Sequence, residues 1–149
     1  MIDQRPEDLE EFTPYLMNRI MARYNKGVEA ALKEVGVTVA QMRALAALAD
    51  SGPCTINELS VLTVIKQSTL SRALDGMEAA GLLRREAQDG DSRVRRITLT
   101  EAGRSAYEAA WPEMLRMRDR TFSALDTGER ETLNKMLLRI FYDIRHHDF

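Results

Sequence analysis

The chain has 149 residues, 44% of them hydrophobic and 30% charged, with a formal net charge of −2. This length suits one ordinary domain or two small units sharing a core, and the composition excludes general disorder and a membrane protein. With no overall basic bias, any attraction to nucleic acid has to come from local clustering of charge.

The opening MIDQRPEDLEEF is polar and acidic, so it does not resemble a secretory signal, and no run approaches the roughly 18 to 20 apolar residues that cross a bilayer. The single cysteine, Cys54, excludes an internal disulfide framework and suits a reducing cytoplasm. The expectation is a cytoplasmic protein with no membrane partner.

From Leu9 the apolar residues Leu9, Phe12, Leu16, Ile20, Tyr24, Val28, Ala31, Leu32 and Val35 recur at three- and four-residue steps and predict one amphipathic helix. Pro14 falls near its start, where proline is tolerated, and Gly36 stops it. Thr38 with Gln41 has capping-box spacing and opens a second helix to about Ala49, before Gly52-Pro53. Thr55 with Glu58 repeats that pattern for a short helix from Ile56 to about Leu62. After a turn at Thr63 to Lys66, a fourth helix starts at Gln67, carries Leu70, Ala73, Leu74 and Met77 on one face, and stops at Gly81. Two such helices joined by a few residues have the shape of a helix-turn-helix.

Beyond Gly81 the pattern becomes extended, with Leu82 to Arg85 and Val94 to Leu99 flanking polar Gln88 to Ser92, and Asp89-Gly90 predicts the turn of a β-hairpin. Thr100 caps a helix over Glu101 to Leu125 that Pro112 is expected to kink. Asp126-Thr127-Gly128 separates it from a last helix with Leu133, Met136, Leu137, Ile140, Phe141 and Ile144 on one side. The first and the last two helices flank the compact centre with apolar stripes that need a partner.

Charge is segregated along this order. Val64 to Asp75 holds Lys66 and Arg72 against Asp75, Ser92 to Thr100 holds Arg93, Arg95 and Arg96 without an acid, and the N-terminal segment has the opposite excess. A helix about 10 to 12 Å wide fits the DNA major groove, and an adjoining hairpin reaches a phosphate ridge or the neighbouring minor groove. The fourth helix should then be polar and not acidic at its start, as Lys66, Gln67, Ser68, Thr69, Ser71 and Arg72 are. Gln67 can bond bidentately to adenine, Arg72 can meet guanine or phosphate, and the hydroxyls can bind bases or backbone. Arg93, beside the turn, can enter an electronegative minor groove. Arg84, Arg85, Arg95 and Arg96 can pair with phosphates, while Asp91 braces the hairpin or orients an arginine. The bland alternative is a solvated surface whose ion pairs contribute about 0 to 1 kcal/mol each.

The helix from 67 to 81 ending in Gly81-Leu82, then Asp91-Ser92-Arg93 and Ile97-Thr98-Leu99-Thr100-Glu101-Ala102-Gly103, resembles the MarR family of bacterial regulators over nearly the whole chain. The resemblance implies a mainly α fold with a small β-hairpin wing. Residues 37–100 would form a winged helix-turn-helix DNA-binding domain, and 1–36 with 101–149 a helical dimerisation region. It implies an obligate homodimer with interleaved terminal helices, binding a pseudo-palindromic site, with Ser68, Thr69 and Arg72 in the major groove and Arg93 in the minor groove. Two rigidly linked heads also add their phosphate contacts, and they should meet successive major grooves about 34 to 36 Å apart.

The resemblance further implies repression relieved by small aromatic or phenolic compounds, antibiotics or oxidants, at a site where the first, second and fifth helices meet the head. Tyr15, Arg19, Met42 and Trp111 are candidate lining residues, though a methionine or aromatic at helical spacing also reads as plain core. Arg19 can meet a ligand carboxylate or an acid across the dimer. Some relatives sense peroxide through a cysteine in the first helix. Cys54 lies elsewhere and has no second cysteine to resolve it, so it reads as a packing residue. His146-His147-Asp148 reads as solvent-exposed tail rather than a metal site. There is no phosphate loop, metal-ligand spacing or nucleophile elbow, so neither an enzyme nor a cofactor is expected. The competing reading is a winged-helix module that binds a partner protein instead of double-stranded DNA.

Overall fold

A computed structural model describes residues 8–145. Six helices and one hairpin follow in the order α1 (Thr13–Glu34), α2 (Val39–Ser51), α3 (Ile56–Thr63), α4 (Gln67–Ala79), β1 (Leu83–Gln88), β2 (Asp91–Leu99), α5 (Glu101–Thr121) and α6 (Thr127–Ile144). The mainly α class with a two-stranded wing is as expected. The bounds differ where local chemistry outweighs periodicity. Pro14 sits in the first turn of α1 and has no N–H for the carbonyl of Glu10, so the helix begins at Thr13 and not at Leu9. Residues 9–11 instead form a turn in which the Glu11 N–H donates to the Asp8 carbonyl at 2.8 Å.

Both expected capping boxes are present, Thr38 with Gln41 on α2 and Thr55 with Glu58 on α3. A third, Asp126 with Glu129, opens α6, so Thr127 and Gly128 lie inside that helix and not in a separator before it. α5 runs through Pro112 to Thr121. The strands pair antiparallel from Leu83 opposite Leu99 to Ala87 opposite Arg95, and β2 reaches back to Asp91, through residues expected to be loop. Cys54 adds a bridge to Ile97, with its N–H donating to the Ile97 carbonyl at 3.1 Å and the return bond at 2.7 Å.

Two cores share α2. Leu45, Leu48, Leu59, Leu70, Leu74, Met77, Leu83 and Ile97 close the centre of the chain, with Cys54 buried among them. Val28, Ala31, Leu32, Met42, Ala110 and Met117 join α1, α2 and α5. Gly103 marks the tightest junction. A Cβ there would overlap the Leu82 carbonyl oxygen, while the Thr100 hydroxyl caps α5 at the Gly103 N–H and donates to the Gly81 carbonyl at 2.6 Å. The Leu-Thr-x-x-Gly stretch is therefore the weld between the end of α4, the wing and α5. No residue of α6 is buried, and its Ile140 and Phe141 are exposed, as are Phe12 beside α1 and Leu16, Met17, Ile20 and Met21 on it.

Candidate nucleic-acid interface

The burial of Leu70, Leu74 and Met77 fixes how α4 is rotated. Gln67, Ser68, Thr69 and Arg72 are left exposed, Lys66 is exposed at the N-cap, and Ser71 is half-buried. No acid lies in the first turn of α4 and no side chain caps it. Its N–H groups, the positive end of the helix dipole and the Lys66 ammonium together favour phosphate oxygens.

On the wing, Arg93 and Arg95 are exposed, and among the described residues neither they nor Arg72 has an ion-pair partner. Arg84 pairs with Glu86 at 3.4 Å on an exposed surface, a contact weak enough to yield to a phosphate. Asp91 accepts from the Arg93 N–H at 2.9 Å, bracing the start of β2. The two remaining arginines are placed differently from the expectation. Arg85 is committed to α4, with Asp75 at 2.7 Å and Glu78 at 3.3 Å, and its side chain is only 19% exposed. Arg96 is half-buried and lies near the thiol of Cys54 and the carboxylate of Glu58. The Asp75 and Glu78 pairs hold Arg85 against α4, away from phosphates.

The four candidate effector residues stand in different surroundings. The Arg19 guanidinium donates to the Tyr15 hydroxyl at 2.8 Å on the outer half of α1. Met42 is 1% exposed, closed into the core with Leu32. Trp111 lies against Tyr107, ring centroids 5.3 Å apart, and lines a groove of about 790 Å³ with Met21, Asn25, Arg43 and Asp50. Arg43, which carries no sequence signal of its own, bridges this region by donating to Asn25 Oδ1 and to the Thr63 carbonyl, each at 3.3 Å. Burial pushes the Tyr24 phenol up, against the opposing pull of Arg43 and Arg118. Burial likewise raises the Cys54 thiol, helped by Glu58 and opposed by Arg96.

The family model described as the MarR family matches residues 35–94. A solved transcriptional regulator of that family from Silicibacter pomeroyi is 43% identical, with a TM-score of 0.83 over 95% of this chain and 96% of its own. This chain belongs to the MarR family. It is a DNA-binding transcriptional regulator with the family's winged helix-turn-helix.

Two other relatives fix the neighbourhood of this MarR-family protein. The HTH-type transcriptional repressor IacR of Pseudomonas putida is 28% identical over 135 residues, 91% of this chain and 81% of the repressor. Bordetella bronchiseptica BpsR, solved to explain regulation of its DNA binding by 6-hydroxynicotinic acid, is 27% identical, with a TM-score of 0.77 over 87% of this chain and 98% of its own. The family's DNA-binding role takes precedence over the protein-partner alternative. Among the described residues no group of three or more His, Cys, Asp or Glu side chains is placed to hold a metal, and no helix is long and apolar enough to cross a membrane. His146-His147-Asp148 lies outside the described residues.

Proposed function

We propose that this regulator is a repressor that binds a pseudo-palindromic operator as a homodimer and releases it when an aromatic acid binds. The observation that carries the DNA contacts is the exposed, unpaired cationic surface of Arg72, Arg93 and Arg95 beside the acid-free start of α4. In this reading Lys66, Arg84 and Arg95 neutralise phosphates, Gln67, Ser68, Thr69, Ser71 and Arg72 enter the major groove, and Arg93 enters the minor groove. Residues 37–100 form the reading head.

The segments 1–36 and 101–149 form the dimerisation region, a reading supported by the exposed apolar side chains of α1 and α6. A second copy covering them doubles the number of phosphates contacted per complex. For the effector, the groove beside Trp111 and Tyr107 offers stacking surface, and Arg43 offers a cation that can pair bidentately with a carboxylate. The repressor IacR and the ligand-regulated BpsR support this reading by kinship.

The test is a titration of fluorescent duplex from the chain's own upstream region against random duplex, at rising salt and with 6-hydroxynicotinic acid. Specific binding should weaken steeply with salt, Arg93→Ala should reduce the magnitude of that slope by about one unit for each counterion it no longer displaces, and the acid should release the duplex. Equal affinity for both duplexes at moderate salt would end the operator reading. An unchanged affinity across a panel of aromatic acids would end the effector reading.

A further inference from the structure

The side-chain amide of Gln67, the first residue of α4, is already engaged before any DNA arrives. Its Nε2 donates to Oδ1 of Asn57 at 2.6 Å. Asn57 belongs to a different helix, on the first turn of α3, and both side chains are exposed. The two helices that carry them are rigidly seated. α3 is held by the Thr55–Glu58 capping box and by Leu59, which has no exposed surface, and α4 by Leu70, Leu74 and Met77, equally enclosed. The amide is therefore ordered in advance, and binding need not order it.

A primary amide carries two N–H donors and one carbonyl acceptor. The N–H on the side away from Oε1 can serve Asn57 while the other N–H and Oε1 remain side by side. That remaining pair is a donor next to an acceptor, which complements the N7 acceptor and N6 donor of adenine in the major groove. Guanine shows two acceptors there, N7 and O6, so Oε1 would face an acceptor across the groove. Reversing the amide would turn its NH2 toward guanine, and keeping the bond to Asn57 would then require the Asn57 amide to reverse as well, a second rearrangement.

We propose that Asn57, outside the recognition helix, is a specificity-determining positioning residue that favours the orientation of the Gln67 amide that reads adenine over guanine. The inference rests on the base contact assigned to Gln67 above. Asn57→Ala frees the amide to turn and so relaxes discrimination at one base pair per half-site. Asn57→Asp keeps the acceptor and the orientation, while its negative charge lowers affinity for all sequences together.

The experiment selects preferred duplexes from a randomised pool with the full-length wild type, Asn57→Ala, Asn57→Asp and Gln67→Ala. Titrations then compare adenine with guanine at the position that Gln67→Ala disturbs. The wild type should prefer adenine there by about tenfold, within the range of one bidentate contact. Asn57→Ala should bring that ratio within about twofold of unity while other positions keep their preferences, and Asn57→Asp should keep the ratio. An undiminished adenine preference in Asn57→Ala overturns the inference, as does its loss in Asn57→Asp or a wild-type preference for guanine. If Gln67→Ala disturbs no position, the fault lies with the Gln67 contact itself, which separates that failure from a failure of Asn57 alone.

Discussion

In the reading head Leu59, Leu70, Leu74 and Met77 have no exposed surface, whereas α6, more than twice as long as α3, buries none of its residues. The head closes its own core around α2, α3, α4 and the hairpin. The last helix is held mainly at its root, where the Arg130 guanidinium donates to the carbonyls of Phe122 and Leu125 at 3.0 and 3.1 Å and to Asp119 at 3.3 Å. Intramolecular burial thus accounts for the head, while α6 presents an apolar side whose stabilisation has to come from another surface.

The largest expected effect separates the two regions outright. If α6 carries the proposed dimer contact, replacing Ile140 and Phe141 together by Glu should give a monomer in sedimentation and weaken operator binding by about a hundredfold, leaving hydrogen-exchange protection of the head unchanged. A double variant that stays dimeric would erase the contrast. Gly103→Ala strikes the head instead. Its new methyl overlaps the Leu82 carbonyl and meets Leu99 Cδ1 at 2.7 Å, so urea denaturation should show a loss of about 3 kcal/mol while the oligomeric state is unchanged.

The smallest effect sharpens the comparison through pH. Bonds from the Thr55 backbone and side chain hold the Glu58 carboxyl below the usual glutamate range, so folding favours its charged form. The sign follows directly: this stabilisation is complete above the ordinary glutamate pKa and is lost as pH falls through the lowered folded value. Glu58→Gln keeps a capping acceptor without the titration. Denaturation midpoints of the two proteins should therefore converge at acid pH, and a constant offset across the range would contradict the assignment.

Much of the fold was legible because its signals are local. Threonine-initiated capping boxes, the Asp89-Gly90 turn and the apolar spacing of Leu70, Leu74 and Met77 each act over a few residues, and each stands where the sequence predicts. The Asp126–Glu129 box has the same spacing, but Gly128 inside it reads as a breaker. What periodicity could not supply were tertiary relations. An arginine on a strand reads as a surface cation until Asp75 and Glu78 stand opposite it, as they do for Arg85. Val64 is harder still: a β-branched residue with φ of 56°, 85% exposed between α3 and α4, occupies a conformation that no propensity would assign it.

The clasp of Arg85 on Asp75 and Glu78 has a mechanical outcome. With the weld at Gly103 and the Cys54–Ile97 bridge, it fastens the hairpin to the head at three points, on α4, at the start of α5 and on the segment before α3. A part so fastened has little room to flex on its own, so α4 and the wing, the two elements proposed to enter the grooves, travel as a single tool. An inducer of the kind proposed above would then have no finger to bend, and would have to swing the whole hand away from the duplex by moving the arm that carries it.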